Sequence, residues 1–88
     1  MLEIRPTCEH CNKKLASDSE DVMICSFECT YCRDCATNTF KSVCPNCGGN
    51  FSKRPIRPLY LMDKYPESTL VIHKPKDVEA HLKRINKE

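Results

Sequence analysis

The sequence predicts a small α+β fold cross-linked by metal, with a short hairpin, a short helix and an appended C-terminal tail, and three observations predict it. The chain has 88 residues, enough for one domain with a modest core that needs added cross-links. Eight of its residues are cysteines, and six of them form the pairs Cys8-x-x-Cys11, Cys32-x-x-Cys35 and Cys44-x-x-Cys47. All eight lie between Cys8 and Cys47, which leaves residues 48–88 free of cysteine.

The chain therefore divides by composition into residues 1–51, a two-metal module, and residues 52–88, a basic, proline-containing tail expected to pack on it. The first part carries five Lys/Arg against seven acids, a net of −2, and the second nine against five, a net of +4. Residues 1–6 hold no apolar run resembling a signal peptide, and no stretch of about 20 apolar residues is present to span a membrane. A cytoplasmic setting without membrane attachment is expected. Reducing conditions there favour metal ligation by paired cysteines over disulfides, and the paired spacing puts structural zinc ahead of disulfides or an iron–sulfur cluster.

The elements follow in order. Ser17–Asp21 is a polar loop, and Val22-Met23-Ile24 is a β-prone run that delivers Cys25. Ser26–Cys32 has the aromatic and β-branched residues of a returning strand, completing a hairpin. Ala36–Lys41 lacks Gly and Pro and suits one or two helical turns that turn Phe40 towards the metal core. In the tail, Pro55 and Pro58 impose an extended course on residues 53–58. Thr69–His73 has the composition of a short strand, and Asp77–Lys87 that of a helix capped by Asp77 with Val78, Leu82 and Ile85 on one face. That face packs on the module or on a second copy of the chain, as in a homodimer through the C-terminal helix.

Eight ligands make two tetrahedral Cys₄ sites with none left over, the closed coordination of structural Zn²⁺, so two zinc ions are the expected cofactors. Gly48 after Cys47 and Asn12 after Cys11 supply the positive φ that a metal knuckle often needs after its second cysteine. Consecutive and interleaved pairings both use all eight ligands. Cys29 and Cys32 are three residues apart, so on an extended segment they face opposite ways and serve different metals. Cys8, Cys11, Cys32 and Cys35 then hold one ion, and Cys25, Cys29, Cys44 and Cys47 the other.

With all thiols ionised on two Zn²⁺ the formal charge falls from +2 to −2, which disfavours nonspecific nucleic-acid binding. The candidate contacts for phosphate are Lys53, Arg54 and Arg57. His10, His73 and His81 are expected in packing or on the surface, because eight thiolates already fill both shells. No Gly-rich phosphate loop, free cysteine or Ser/His/Asp grouping remains, so no enzymatic activity is expected.

The order of all eight ligands resembles that of the RING finger, with Cys29 where many RING domains place a histidine. Over residues 8–47 the resemblance implies a cross-braced fold and protein binding as the general role, with the partner unknown. Ubiquitin ligases of that family commonly carry an apolar residue before the second cysteine and a cationic one after the last, where this chain has His10 and Gly48. Ligase activity is accordingly the weakest of three expectations, after protein binding and nucleic-acid binding. Over roughly residues 1–70 the chain is also similar to the bacterial domain-of-unknown-function family 1272. The opening Met1–Pro6, the segment Ile24–Cys32 and the run Cys44–Gly49 carry this likeness, which implies a bacterial, cytoplasmic setting and no assigned activity.

Overall fold

The computed structural model describes residues 2–85. Strands β1 (Val22–Ile24) and β2 (Thr30–Cys32) form the expected antiparallel hairpin, with Val22 opposite Cys32 and Ile24 opposite Thr30. A third strand, β3 (Ser52–Lys53), pairs with the other edge of β1, giving the order β2-β1-β3. The helix after Cys35 is present over Cys35–Thr39 but wound as a π-helical turn, and it delivers a fully buried Phe40. A helical turn α1 (Leu59–Met62) follows Pro58, and helix α2 (Val78–Arg84) ends the described chain. The molecule is thus a small α+β fold with a three-stranded antiparallel sheet.

The core is small and aromatic. Tyr31 and Phe40 meet edge to face at 5.0 Å, and Phe51, His10 and His81 each set a ring edge-on to one of this pair. Val22, Leu15 and Ala36 fill the remaining space among the buried cysteines. Edge-to-face pairs contribute beyond their area, which matters where so few large apolar side chains are available.

Three expectations give way to local physics. The return to β2 is not a strand from Ser26: the Cys25 sulfur accepts the amide N–H groups of Phe27 and Cys29 at 3.4 and 3.3 Å, and Glu28 takes φ 63°, so residues 25–29 curl into a knuckle. Thr69–His73 is not a strand either. Its composition suits one, but it pairs with no strand among the described residues, and the main chain beside it is tied by Ser68 N–H to Ile4 O and Lys74 N–H to Glu9 O, both 2.8 Å. Leu70 and Val71 accordingly stay exposed. Helix α2 begins as expected, with the Asp77 carboxylate accepting the Ala80 amide at 3.1 Å, and reaches its C-cap at Ile85. Asn86 and Lys87, the end of the expected helix, lie outside the described residues.

The third correction concerns the basic stretch. Arg54 is only 3% exposed, and its guanidinium donates to Arg5 O at 2.8 Å and Ala16 O at 3.1 Å. Arg57 donates to Leu2 O at 2.7 Å and Tyr65 O at 2.6 Å. Lys53 alone of the three projects from an exposed strand. These arginines bind backbone carbonyls, the acceptors their fork geometry reaches in a chain whose N-terminal segment forms little regular structure, which buries Arg54 and engages the Arg57 guanidinium.

Arg54→Ala should therefore destabilise the metal-loaded protein by about 2 kcal/mol, because it strips two carbonyls of a charged donor. Denaturant unfolding monitored by tyrosine fluorescence measures the change, and a shift within ~0.5 kcal/mol would mark the contact as incidental.

Candidate metal centres

The first cluster is assembled by the chain from both sides of the hairpin. An antiparallel bridge between Thr7 and Lys14 pinches residues 8–13 into a loop, closed by Asn12 N–H to Cys8 O at 3.0 Å and Cys8 N–H to Lys13 O at 2.9 Å. Asn12 supplies the turn with φ 63°, as its position after Cys11 predicts. Cys32 ends β2 and Cys35 opens the π-helical turn. The sulfurs of Cys8, Cys11, Cys32 and Cys35 lie within 4.8 Å of one another, and Cys11 and Cys32 are 3.7 Å apart.

That last distance is informative. Four sulfurs on a tetrahedral zinc at about 2.3 Å form a tetrahedron whose edges are about 3.8 Å. A disulfide would bring two sulfurs to about 2.05 Å. None of the eight cysteines is paired in a disulfide.

The second cluster joins the end of β1 to the third knuckle. Cys25, Cys44 and Cys47 converge within 4.8 Å. Gly48 N–H to Cys44 O at 2.9 Å and Cys44 N–H to Gly49 O at 2.8 Å close the knuckle, with Gly48 at φ 76°. Its sulfurs accept main-chain amides, Asn46 N–H on Cys44 and Gly49 N–H on Cys47, both at 3.4 Å. Cys29, expected as the fourth member, stands beside Cys25 but outside this mutually close trio. Its sulfur is held by the Asn46 side-chain amide at 3.3 Å, and that same amide donates to the Tyr31 hydroxyl at 3.2 Å. Cys32 belongs to the first cluster, which Cys29 does not join.

Electrostatics shows what the sulfurs lack. Burial pushes the Cys25 thiol up to about 12 and raises Cys32, Cys35 and Cys44 as well, so these thiols keep their protons when left to themselves. The more open Cys47 is held at about 7 by the Gly49 amide. Burial works against ionisation of Cys11, but the Lys13 amide and the neighbouring thiols bring it below its usual value. Side-by-side thiolates need a cation among them, and a bound divalent metal removes the protons that burial otherwise retains. The two clusters can hold metal ions.

Neither cluster includes a histidine. His10 Nδ1 accepts the Lys76 amide at 3.0 Å, and burial with nearby His73 and Lys76 holds the ring below its ordinary value, which keeps that acceptor free. His73 Nε2 contacts His10 O at 3.2 Å. His81, only 2% exposed, sets Nε2 against Phe40 O at 2.9 Å, which makes it packing.

Sequence reasoning overlooked two positioning residues. The buried Glu9 carboxylate accepts the Thr30 amide at 2.6 Å and pairs with Arg5, clamping the first knuckle to β2. Asn46 holds Cys29 and Tyr31 together. A carboxylate and an amide enclosed within Cys-x-x-Cys loops were the available signals, since neither type is needed for the turn itself.

Gly48→Ala tests the knuckle. A Cβ there meets no atom within 4 Å, so the cost is the left-handed backbone alone, about 1 kcal/mol. Competition against a chromophoric chelator should show the second cluster losing metal roughly fivefold more readily. Unchanged retention would mean that the positive φ contributes nothing to binding.

No helix among the described residues is long and apolar enough to cross a membrane. No solved structure matches the chain. An uncharacterized protein of Rhizobium meliloti (strain 1021) is 51% identical over 75 residues, covering 85% of this chain and 89% of that protein. Residues 1–57, which hold both clusters and β1 to β3, match the family model described as protein of unknown function (DUF1272), and the chain belongs to that family.

Proposed function

We propose that both clusters are structural zinc sites and that the protein is a non-catalytic module acting by binding another protein. Cys8, Cys11, Cys32 and Cys35 hold one ion, and Cys25, Cys29, Cys44 and Cys47 the other. The observation that carries the metal assignment is the four-thiol group with a 3.7 Å sulfur pair, which suits a tetrahedral thiophilic cation. Zinc on four thiolates keeps no open position for water, so its contribution is to the fold. A reducing compartment, the cytoplasm, is the setting in which such thiols stay available.

Protein binding is supported by what the metal loops hold out to solvent. Phe27 is 76% exposed at the tip of the Cys25–Cys29 knuckle, where two amide–sulfur bonds fix its backbone. Leu59 and Tyr60 are about as exposed on α1. The burial of Arg54 and the engagement of Arg57 take support away from a nucleic-acid role.

Elemental analysis of the purified protein should give two zinc ions per chain, and removal by a strong chelator should collapse the dispersed amide NMR spectrum, since structural zinc contributes on the order of 10 kcal/mol. Zinc titration of the apo protein near neutral pH should release protons, because thiols are mostly protonated there and bind the metal as thiolates. The zinc-loaded chain should also retain a partner from its native host that the chelated chain does not. A spectrum unchanged by chelation, or one ion or none per chain, would sink the proposal.

A further inference from the structure

Residues beyond the family-matched segment lie across residues within it. The Lys76 amide donates to His10 Nδ1 at 3.0 Å, His81 Nε2 to Phe40 O at 2.9 Å, and Arg84 Nη1 to Pro45 O at 3.2 Å. These acceptors belong to the first knuckle, the end of the π-helical turn and the third knuckle. Together they mark one surface between the two cysteine clusters, with Phe40 edge-on to both His10 and His81. Val78 packs against the same core.

Resting on the protein-binding reading, we propose that this surface is a helix-binding face which α2 fills in cis, and that the partner is a short amphipathic helix that displaces it. The displacing helix carries an apolar residue, a ring N–H donor and a cation at successive three-residue steps, as Val78, His81 and Arg84 do. Two of the acceptors are main-chain carbonyls of the module, and a carbonyl accepts from any donor correctly placed. The seven residues of α2 make a helix that is marginal by itself, so its occupancy depends on tethering and a high effective concentration.

Its fit is also incomplete. With Nε2 donating to Phe40 O, Nδ1 of His81 is a buried acceptor without a partner among the described residues. The route to α2 permits release: residues 66–77 form no helix or strand, so α2 can leave without unfolding another element. The face lies within residues 1–57, the segment that defines the family, whereas α2 lies outside it.

A fluorescein-labelled synthetic peptide of residues 74–88, titrated by anisotropy with the zinc-loaded full-length chain, tests this. Arg84→Glu in the protein weakens the tethered competitor at an exposed side chain, so it should bind the wild-type peptide roughly tenfold more tightly than wild-type protein does. His81→Ala in the protein should act in the same direction. A peptide carrying Arg84→Glu should bind more weakly to every form. Equal affinities for wild type and Arg84→Glu, or no binding to either, overturn the proposal. Loss of zinc from His81→Ala would overturn it too, making α2 an integral part of the fold. Zinc content is measured on the same samples, so wild type with two ions and equal peptide affinities refutes the helix-binding face alone and leaves the metal sites standing.

Discussion

Everything in this structure depends on bringing buried thiols together in numbers that their own chemistry resists. A buried thiol keeps its proton, and a thiolate beside another thiolate is repelled. The fold nevertheless drives four sulfurs into one cluster and three, with Cys29 alongside, towards another. Two features lower the cost. Main-chain amides point at the sulfurs of Cys25, Cys44 and Cys47, and positive-φ residues such as Asn12 and Gly48 turn the chain sharply enough to aim them. Such preorganisation makes chemical sense when a cation completes the charge balance.

The hairpin and the aromatic cluster keep the two centres in a fixed relation. Cys25 follows β1 directly and Cys32 ends β2, so one three-residue ladder sets a ligand of each cluster. Tyr31, between them in the chain, is fully buried against Phe40 and Phe51, and its hydroxyl receives the Asn46 amide that also holds the Cys29 sulfur. Glu9 does the equivalent at the other end, tying the Cys8–Cys11 loop to Thr30. A chain of this size has few residues for a core, and here the residues that fill the core also position the ligands.

How much of this was legible in the sequence follows from the range of the interactions involved. The paired spacing, the positive-φ residues after Cys11 and Cys47, the hairpin and the Asp77 cap are local, and each could be read from a few adjacent residues. The grouping of Cys8 and Cys11 with Cys32 and Cys35 is as expected, although the extended segment from which it was read begins only after Cys29. What escaped was set by distant partners. The curl of residues 25–29 arises because a sulfur captures amides that a strand would have offered to its neighbour. Thr69–His73 has strand composition but pairs with no strand among the described residues, and no local pattern reveals a missing partner. Arg54 stood as a candidate phosphate contact because the carbonyls that bury it belong to Arg5 and Ala16, far away in sequence.

The tail shows a further regularity. Arg54, Arg57, Lys74, His81 and Arg84 all reach main-chain carbonyls of the segment before Cys47, at Arg5, Ala16, Leu2, Glu9, Phe40 and Pro45. Such contacts depend on the path of the backbone more than on the identity of the side chains along it. Glu9 and Pro45 lie inside Cys-x-x-Cys loops, and Phe40 follows the π-helical turn that Cys35 opens. The positions of those carbonyls are therefore set by the same turns that aim the sulfurs. Substitutions on the module's surface leave this docking intact, while release of the knuckles scatters its acceptors together. The tail is coupled to the cysteine clusters through backbone geometry, and none of its described residues joins either cluster.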